Sequence, residues 1–264
     1  MAGAAQTVGE FLRSWRQLRR FSQLELAVDA EISQRHLSFI ESGRAAPSRE
    51  MILHLAEHLD VPLRERNAML LAAGYSPMYR ERRLDDPELI HAKTTLEFLL
   101  RAHEPHPALT VDRHWNIVAT NRALGPLLNG VAPELLKSPA NALRISLHPR
   151  GLAPNILNLR EWRGHLLDRL RRQIRITRDP ALDVLLSELR SYPLHSSECP
   201  AGSNGTLANE VAVPLQLRTS TGTLNLISTV TVFGTPVEIT LSELTLEAFY
   251  PADEETARIL AGFQ

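Results

Sequence analysis

His54-Leu-Ala-Glu57-His58 is the pattern in this chain with the spacing of a metal-bound hydrolytic centre. Two histidines four apart share a helix face, where both imidazoles can hold zinc beside a glutamate base. So short a pattern also arises by chance, and its surroundings read as a supporting helix. Ser48 caps a helix carrying Ile52, Leu55, Ala56 and Leu59, and Pro62 ends it. The single cysteine, Cys199, has no cysteine partner for a disulfide or a zinc site, and an inert thiol in a flexible loop is expected. Ser203, in AGSNG, reads as a turn and lacks the strand-to-helix setting of a nucleophile elbow. There is no GxSxG, GxGxxG or P-loop motif. The expectation is a non-enzyme with no cofactor and no metal.

The elements that must position any other site fall into three stretches: 1–75, 76–105 and 106–264. In the first, Val8, Phe11, Leu12, Trp15 and Leu18 form a helical stripe, with Arg13, Arg16, Arg19 and Arg20 mostly off it. Ser22-Gln-Leu-Glu25 is a capping box opening a short helix that turns at about Ala30-Glu31. Ser33 caps a helix over Gln34–Ser42 that buries Leu37 and Ile40 and stops at Gly43. A further helix, about Leu63–Ala73, ends at Gly74. Residues 76–88, with Pro77 and Pro87, read as a linker, and 86–103 as an amphipathic helix.

Beyond residue 106 the pattern becomes strand-like. ALTVD and HWNIVATN flank a turn at Asp112-Arg113, and helices fill about 121–129, 156–177 and 180–191. After the loop SSECPAGSNGTLAN come the alternating Val211, Val213, Leu215 and Leu217, then TLNLISTVTVF, VEITL and ELTLEAFY as strands.

The bulk properties agree with two folded domains. The chain has 264 residues, 44% hydrophobic and 22% charged. A formal net charge of -1 gives no global polycation, so any contact with nucleic acid must come from a local patch. Residues 1–66 hold nine Arg and nine acidic residues, and only Lys93 and Lys137 are lysines, a composition pointing to a GC-rich bacterial gene. The N-terminus lacks the apolar stretch of a signal peptide, and no apolar run nears the roughly 18 residues of a membrane span. The expected location is the cytoplasm.

Arg19…Ser22-Gln23…Leu26-Ala27…Ile32-Ser33-Gln34…Ile40-Glu41-Ser42-Gly43-Arg44…Pro47-Ser48 closely resembles the helix-turn-helix of the XRE family, the phage-repressor type, over about residues 8–62. The resemblance implies double-stranded DNA as a partner, with the second helix across the major groove. It places Gln34, Arg35 and Ser38 at base edges, with Ser33 and His36 beside them, and Ser42 and Arg44 at phosphates. Gln23 is implied to touch phosphate and brace Gln34. One departure stands out: the turn has Glu31 where the motif usually has Gly, so a charged residue must take a positive φ.

The similarity continues through VDRHWNIVATNRA, LHPRGLAPNILNLREWRGHLLDRLRR and TVTVFGTPVEITLSELTLEAFYPADEETA, which look like the MmyB-like regulators. The implied fold class is α+β: an all-α, lambda-repressor-like helix-turn-helix bundle followed by a PAS-like antiparallel sheet with helices, enclosing a ligand pocket. Trp115, Trp162 and Phe233 are candidate apolar walls, and Arg144, His148, Asn158, Arg160 and His165 candidates for orienting a polar head group. Core packing is the alternative role for each Trp, and a satisfied surface or core site for each His. A small apolar ligand with an acidic head, such as a fatty acid, fits such walls with a cationic mouth. A homodimer is expected, because one small helix-turn-helix makes few contacts. The competing reading keeps DNA binding and gives the second domain only dimerisation or protein recruitment.

Overall fold

A computed structural model describes residues 6–84, 86–193, 213–233 and 238–262. Cys199, Ser203 and Val211 lie outside the described residues. The chain forms two units: residues 1–82 with 235–242, and residues 83–234 with 243–264.

The first unit is helical: α1 (Val8–Leu18), α2 (Gln23–Asp29), α3 (Gln34–Glu41), α4 (Arg49–His58) and α5 (Leu63–Ala72). Short polar residues start four of them. The Thr7, Ser22, Ser33 and Ser48 side chains each accept a bond from an amide in the first turn, and Glu10 and Glu25 complete capping boxes. The apolar stripes meet in a core holding Leu12, Leu26, Leu37, Ile40, Ile52 and Leu55, all with no exposed surface. Gly9 lets α1 lie against the end of α3: a Cβ there would sit 2.5 Å from the Ile40 carbonyl oxygen.

The unit does not end at residue 75. The Asn67 side chain accepts from the amides of Met78 and Tyr79 and donates to the Tyr79 carbonyl, tying the start of the expected linker to α5. The segment VEITL also departs from expectation. Glu238 makes an isolated bridge to Arg80, and Ile239–Ser242 winds into a helical turn rather than a strand. Residues 80–82 hold it by one backbone and one side-chain bond: the Ile239 amide donates to the Arg80 carbonyl (2.9 Å), and the Thr240 hydroxyl donates to the Arg82 carbonyl (2.5 Å). Ile239 is buried there.

The second unit is built on a five-stranded antiparallel sheet in the order β2-β1-β5-β4-β3, the PAS-like arrangement. The strands are β1 (Ala108–Val111), β2 (Ile117–Thr120), β3 (Leu215–Thr219), β4 (Gly222–Val232) and β5 (Thr245–Pro251). Register places Leu109 opposite Glu247, and Thr110 opposite Leu246. Side chains alternate between faces, so Leu109, Val111, Glu247 and Phe249 share one face, and Ala108, Thr110, Leu246 and Ala248 the other. Leu109, Val111 and Phe249 join a core with residues from three helices: α7 (Ala142–Leu147), α8 (Leu159–Thr177) and α9 (Pro180–Ser191). A further helix, α6 (Ile90–Ala102), packs beside β2 and buries Leu96 and Leu100. The helix expected over 121–129 is a 3₁₀ segment, Arg122–Leu128, because Pro126 inside it cannot donate an α-helical bond.

Candidate functional site

The α2–α3 pair is held by a buried carboxylate. Glu41, at the end of α3, accepts from Arg16 Nε (2.6 Å) and Nη2 (2.9 Å) of α1 and from Gln23 Nε2 (2.9 Å) of α2, with Arg13 at 3.5 Å. Its side chain has no exposed surface. Burial pushes its pKa up, but the bonds from Arg16 and Gln23 outweigh that and hold it below the usual glutamate value. Gln23 is therefore tied to Glu41 and not to Gln34, which corrects the expected brace.

Between α2 and α3 the chain reverses at Ala30–Ser33. The Ile32 amide donates back to the Ala27 carbonyl, and Glu31 stands exposed at φ +52°, the left-handed conformation the sequence requires of it. Gln34, Arg35 and His36 follow, all exposed on the first turn of α3, while Leu37 turns into the core and Ser38 is half-buried. Ser33 is occupied as the cap, accepting from the His36 amide. Phe39 lies between two cations: the Arg35 guanidinium is 5.3 Å and that of Arg44 6.0 Å from its ring centre. Both arginines are exposed, so the ring limits their directions without burying their charge. Ser42 Oγ, also exposed, donates to the Phe39 carbonyl.

His54 and His58 brace this pair. His54 Nε2 lies 2.8 Å from the Ala30 carbonyl, and His58 Nδ1 lies 2.8 Å from Asp29 Oδ2, both at the end of α2. Among the described residues no group of three or more His, Cys, Asp or Glu is placed to hold a metal.

In the sheet unit, the inner face lines a cavity of about 70 Å³. Trp115, Trp162, Phe249, Leu109 and Leu215 form walls, and the segment Arg122–Leu128 adds Leu124, Leu127 and Leu128. Trp115 enters because the tight β1–β2 connection gives it φ +66°. There Asp112 Oδ1 accepts from the amides of His114 and Asn116. Trp115 Nε1 donates to Gln173 Oε1, and Trp162 Nε1 to Ser146 Oγ.

The polar candidates are placed elsewhere. Arg144 makes a two-pronged pair with Glu188 (2.8 Å each) and does not face the cavity; Tyr192 donates to the same carboxylate. The Arg144 bonds hold Glu188 below the usual range. His148 packs edge-on to Tyr192. Asn158 joins the start of α8 to β3, donating to the Pro214 carbonyl and accepting from the Gln216 amide. Arg160 is exposed on α8. His165 stacks on the outer side of Trp162, and burial and then Arg169 lower its pKa. Phe233 follows the end of β4 and is not in the wall. Of the eight candidates, the cavity gathers the two tryptophans. The polar wall residues are Ser146 and Glu247, neither anticipated.

An exposed recognition helix on a capped helical bundle, followed by an antiparallel sheet lining an apolar cavity, defines a DNA-binding transcription regulator with a ligand-binding domain. Residues 12–66 match the helix-turn-helix family model, and residues 92–262 match the MmyB-like transcription regulator ligand binding domain. The chain belongs to the family that carries this MmyB-like domain. Comparison with curated proteins finds no match. Among the described residues, no helix is long and apolar enough to cross a membrane.

Proposed function

We propose that the chain binds duplex DNA as a homodimer and that a small apolar molecule in the sheet unit changes its affinity for the operator. The observation that carries the DNA reading is the joint exposure of Gln34, Arg35 and His36 on the first turn of α3. Gln34 offers a donor and an acceptor to adenine and Arg35 a fork to guanine, with Ser38 behind them. Arg44, Ser42 and Gln23 take phosphates and fix the register. For the dimer, α6 offers Phe98, 70% exposed, two residues on from buried Leu96 and so on the opposite side of the helix.

The cavity supports a sensor over a plain dimerisation or recruitment module. Its wall includes Glu247 and Phe249 of β5, and that strand follows directly on Glu238–Ser242, which belongs to the helical unit. A ligand that shifts β5 therefore pulls on a segment of the DNA-binding unit. A fatty acid is the less favoured occupant. Ligand pockets of about 300–1,000 Å³ hold drug-sized molecules, and this cavity is far smaller. Arg144 and Arg160, expected at its mouth, lie elsewhere.

Operator titrations at fixed salt, with and without candidate ligands of graded size, test the reading. Coupling of about 1–3 kcal/mol appears as a roughly 5- to 150-fold change in operator affinity. Equal affinity for every loaded and empty form would leave the second unit as a dimerisation or recruitment module.

A further inference from the structure

Glu247 is out of place in the cavity wall. It stands in mid-strand on β5 among Leu109, Trp115 and Phe249, with its side chain 6% exposed. Oε1 accepts from Arg169 Nη1 at 2.8 Å, and among the described residues no donor reaches Oε2. The Arg169 guanidinium is itself shared, lying 4.8 Å over the Trp115 ring.

The rest of the wall has few donors to give. Both indole N–H groups are used, Trp115 on Gln173 and Trp162 on Ser146, which leaves the Ser146 hydroxyl. Glu247 thus brings to an otherwise apolar wall a carboxylate with one oxygen that takes no donor among the described residues. A carboxylate oxygen accepts from an incoming O–H, and among apolar side chains that bond discriminates between ligands with and without a donor. Neither an ionised carboxylate ligand nor a pure hydrocarbon brings a donor to that oxygen. The Glu247–Arg169 pair has no net charge, so nothing in the wall calls for a cation.

We propose that the cavity takes a compact, neutral apolar molecule carrying a hydroxyl donor, a small phenol or alcohol, with its O–H on Glu247 and its carbon skeleton against Trp115, Trp162 and Phe249. This rests on the reading of the sheet unit as ligand-binding. The present volume is about half that of the ~150 Å³ cavity known to admit benzene, which limits the skeleton to about one ring. Leu124, Leu127 and Leu128 must give way to admit it; the 3₁₀ segment that carries them has weaker hydrogen-bond geometry than an α-helix.

Calorimetric titration of the full chain with phenol, toluene and benzoate tests this. Phenol is expected to bind at least tenfold more tightly than toluene, and benzoate not at all. In Glu247→Gln the preference for phenol over toluene shrinks, while unchanged toluene affinity shows that the cavity is intact. If that variant fails to fold, the double variant Arg169→Gln/Glu247→Gln removes the unpaired cation and takes its place. Equal affinity for all three molecules, or an undiminished phenol preference without Glu247, overturns the hydroxyl assignment and leaves the ligand-binding reading standing. No binding of phenol or toluene removes both.

Discussion

Replacing Glu41 by Ala should loosen the DNA-reading pair more than any change on its surface. The substitution strands Arg16, 8% exposed, whose Nε and Nη2 both donate to Glu41, and frees Gln23. Removing one partner of a buried ion pair costs about 3–5 kcal/mol, because the other charge stays buried without compensation. A unit of this size holds about 5–13 kcal/mol in total, so much of its stability goes. Hydrogen exchange read peptide by peptide separates the units: amides in α1–α3 should lose roughly 10²- to 10⁴-fold of their protection, those in β1 and β5 little. The double variant Arg16→Met/Glu41→Leu should recover most of the loss, since a well-packed apolar pair replaces an ion pair at little cost. Acid gives an independent check. Glu41 is held below its ordinary pKa of 4.5, so its contribution is complete above that pH and lost as pH falls through the folded value. The reasoning fails if Glu41→Ala costs under about 1 kcal/mol, or if the double variant is no better than the single one.

Gln34→Ala and Arg35→Ala should each cost about 1–3 kcal/mol on the preferred operator and relax base choice at one position, read by binding to a library of single-base variants. Arg44→Ala should weaken all sequences alike and reduce the salt slope by about 1, measured by titration at several salt concentrations. Gly9→Ala should destabilise the helical unit by about 1–3 kcal/mol in urea, because its Cβ meets the Ile40 and Glu41 carbonyl oxygens at 2.5 and 2.9 Å. Footprinting should show half-sites about 34 Å apart or a multiple of that, and Phe98→Glu should yield monomers by light scattering while sparing the fold.

The helical unit was legible because its signals are local. Ser22, Ser33 and Ser48 cap helices within three residues of themselves, and the positive φ of Glu31 was marked by the Gly that the resembling motif usually has there. The antiparallel sheet with helices came with the family resemblance, and the two tryptophans were candidate walls, whereas the strand order within the sheet was not read. What failed depends on distant partners. Arg144 meets Glu188 44 residues on, so no local pattern marks it as already spent. The Ile239 amide and the Thr240 hydroxyl bond to carbonyls of Arg80 and Arg82, so strand propensity lost to a contact between distant parts of the sequence. Glu247 was hidden because both faces of β5 are buried. In Leu246-Glu247-Ala248 the acid reads as the solvent side of an alternating strand, and here there is no solvent side.

The return of residues 238–242 to the helical unit has a consequence for synthesis. A ribosome releases the chain in order, and N-terminal domains ordinarily fold as they emerge. Here the five helices can collapse early, but Arg80 and Arg82 wait for Glu238 and Thr240, more than 150 residues behind them. The nascent unit must therefore persist with the seat of Ile239 open while β1 to β4 are made. A fragment that stops at residue 82 would keep that seat permanently empty, and excising the helical unit from this protein means taking a piece of the ligand-binding domain's sequence with it.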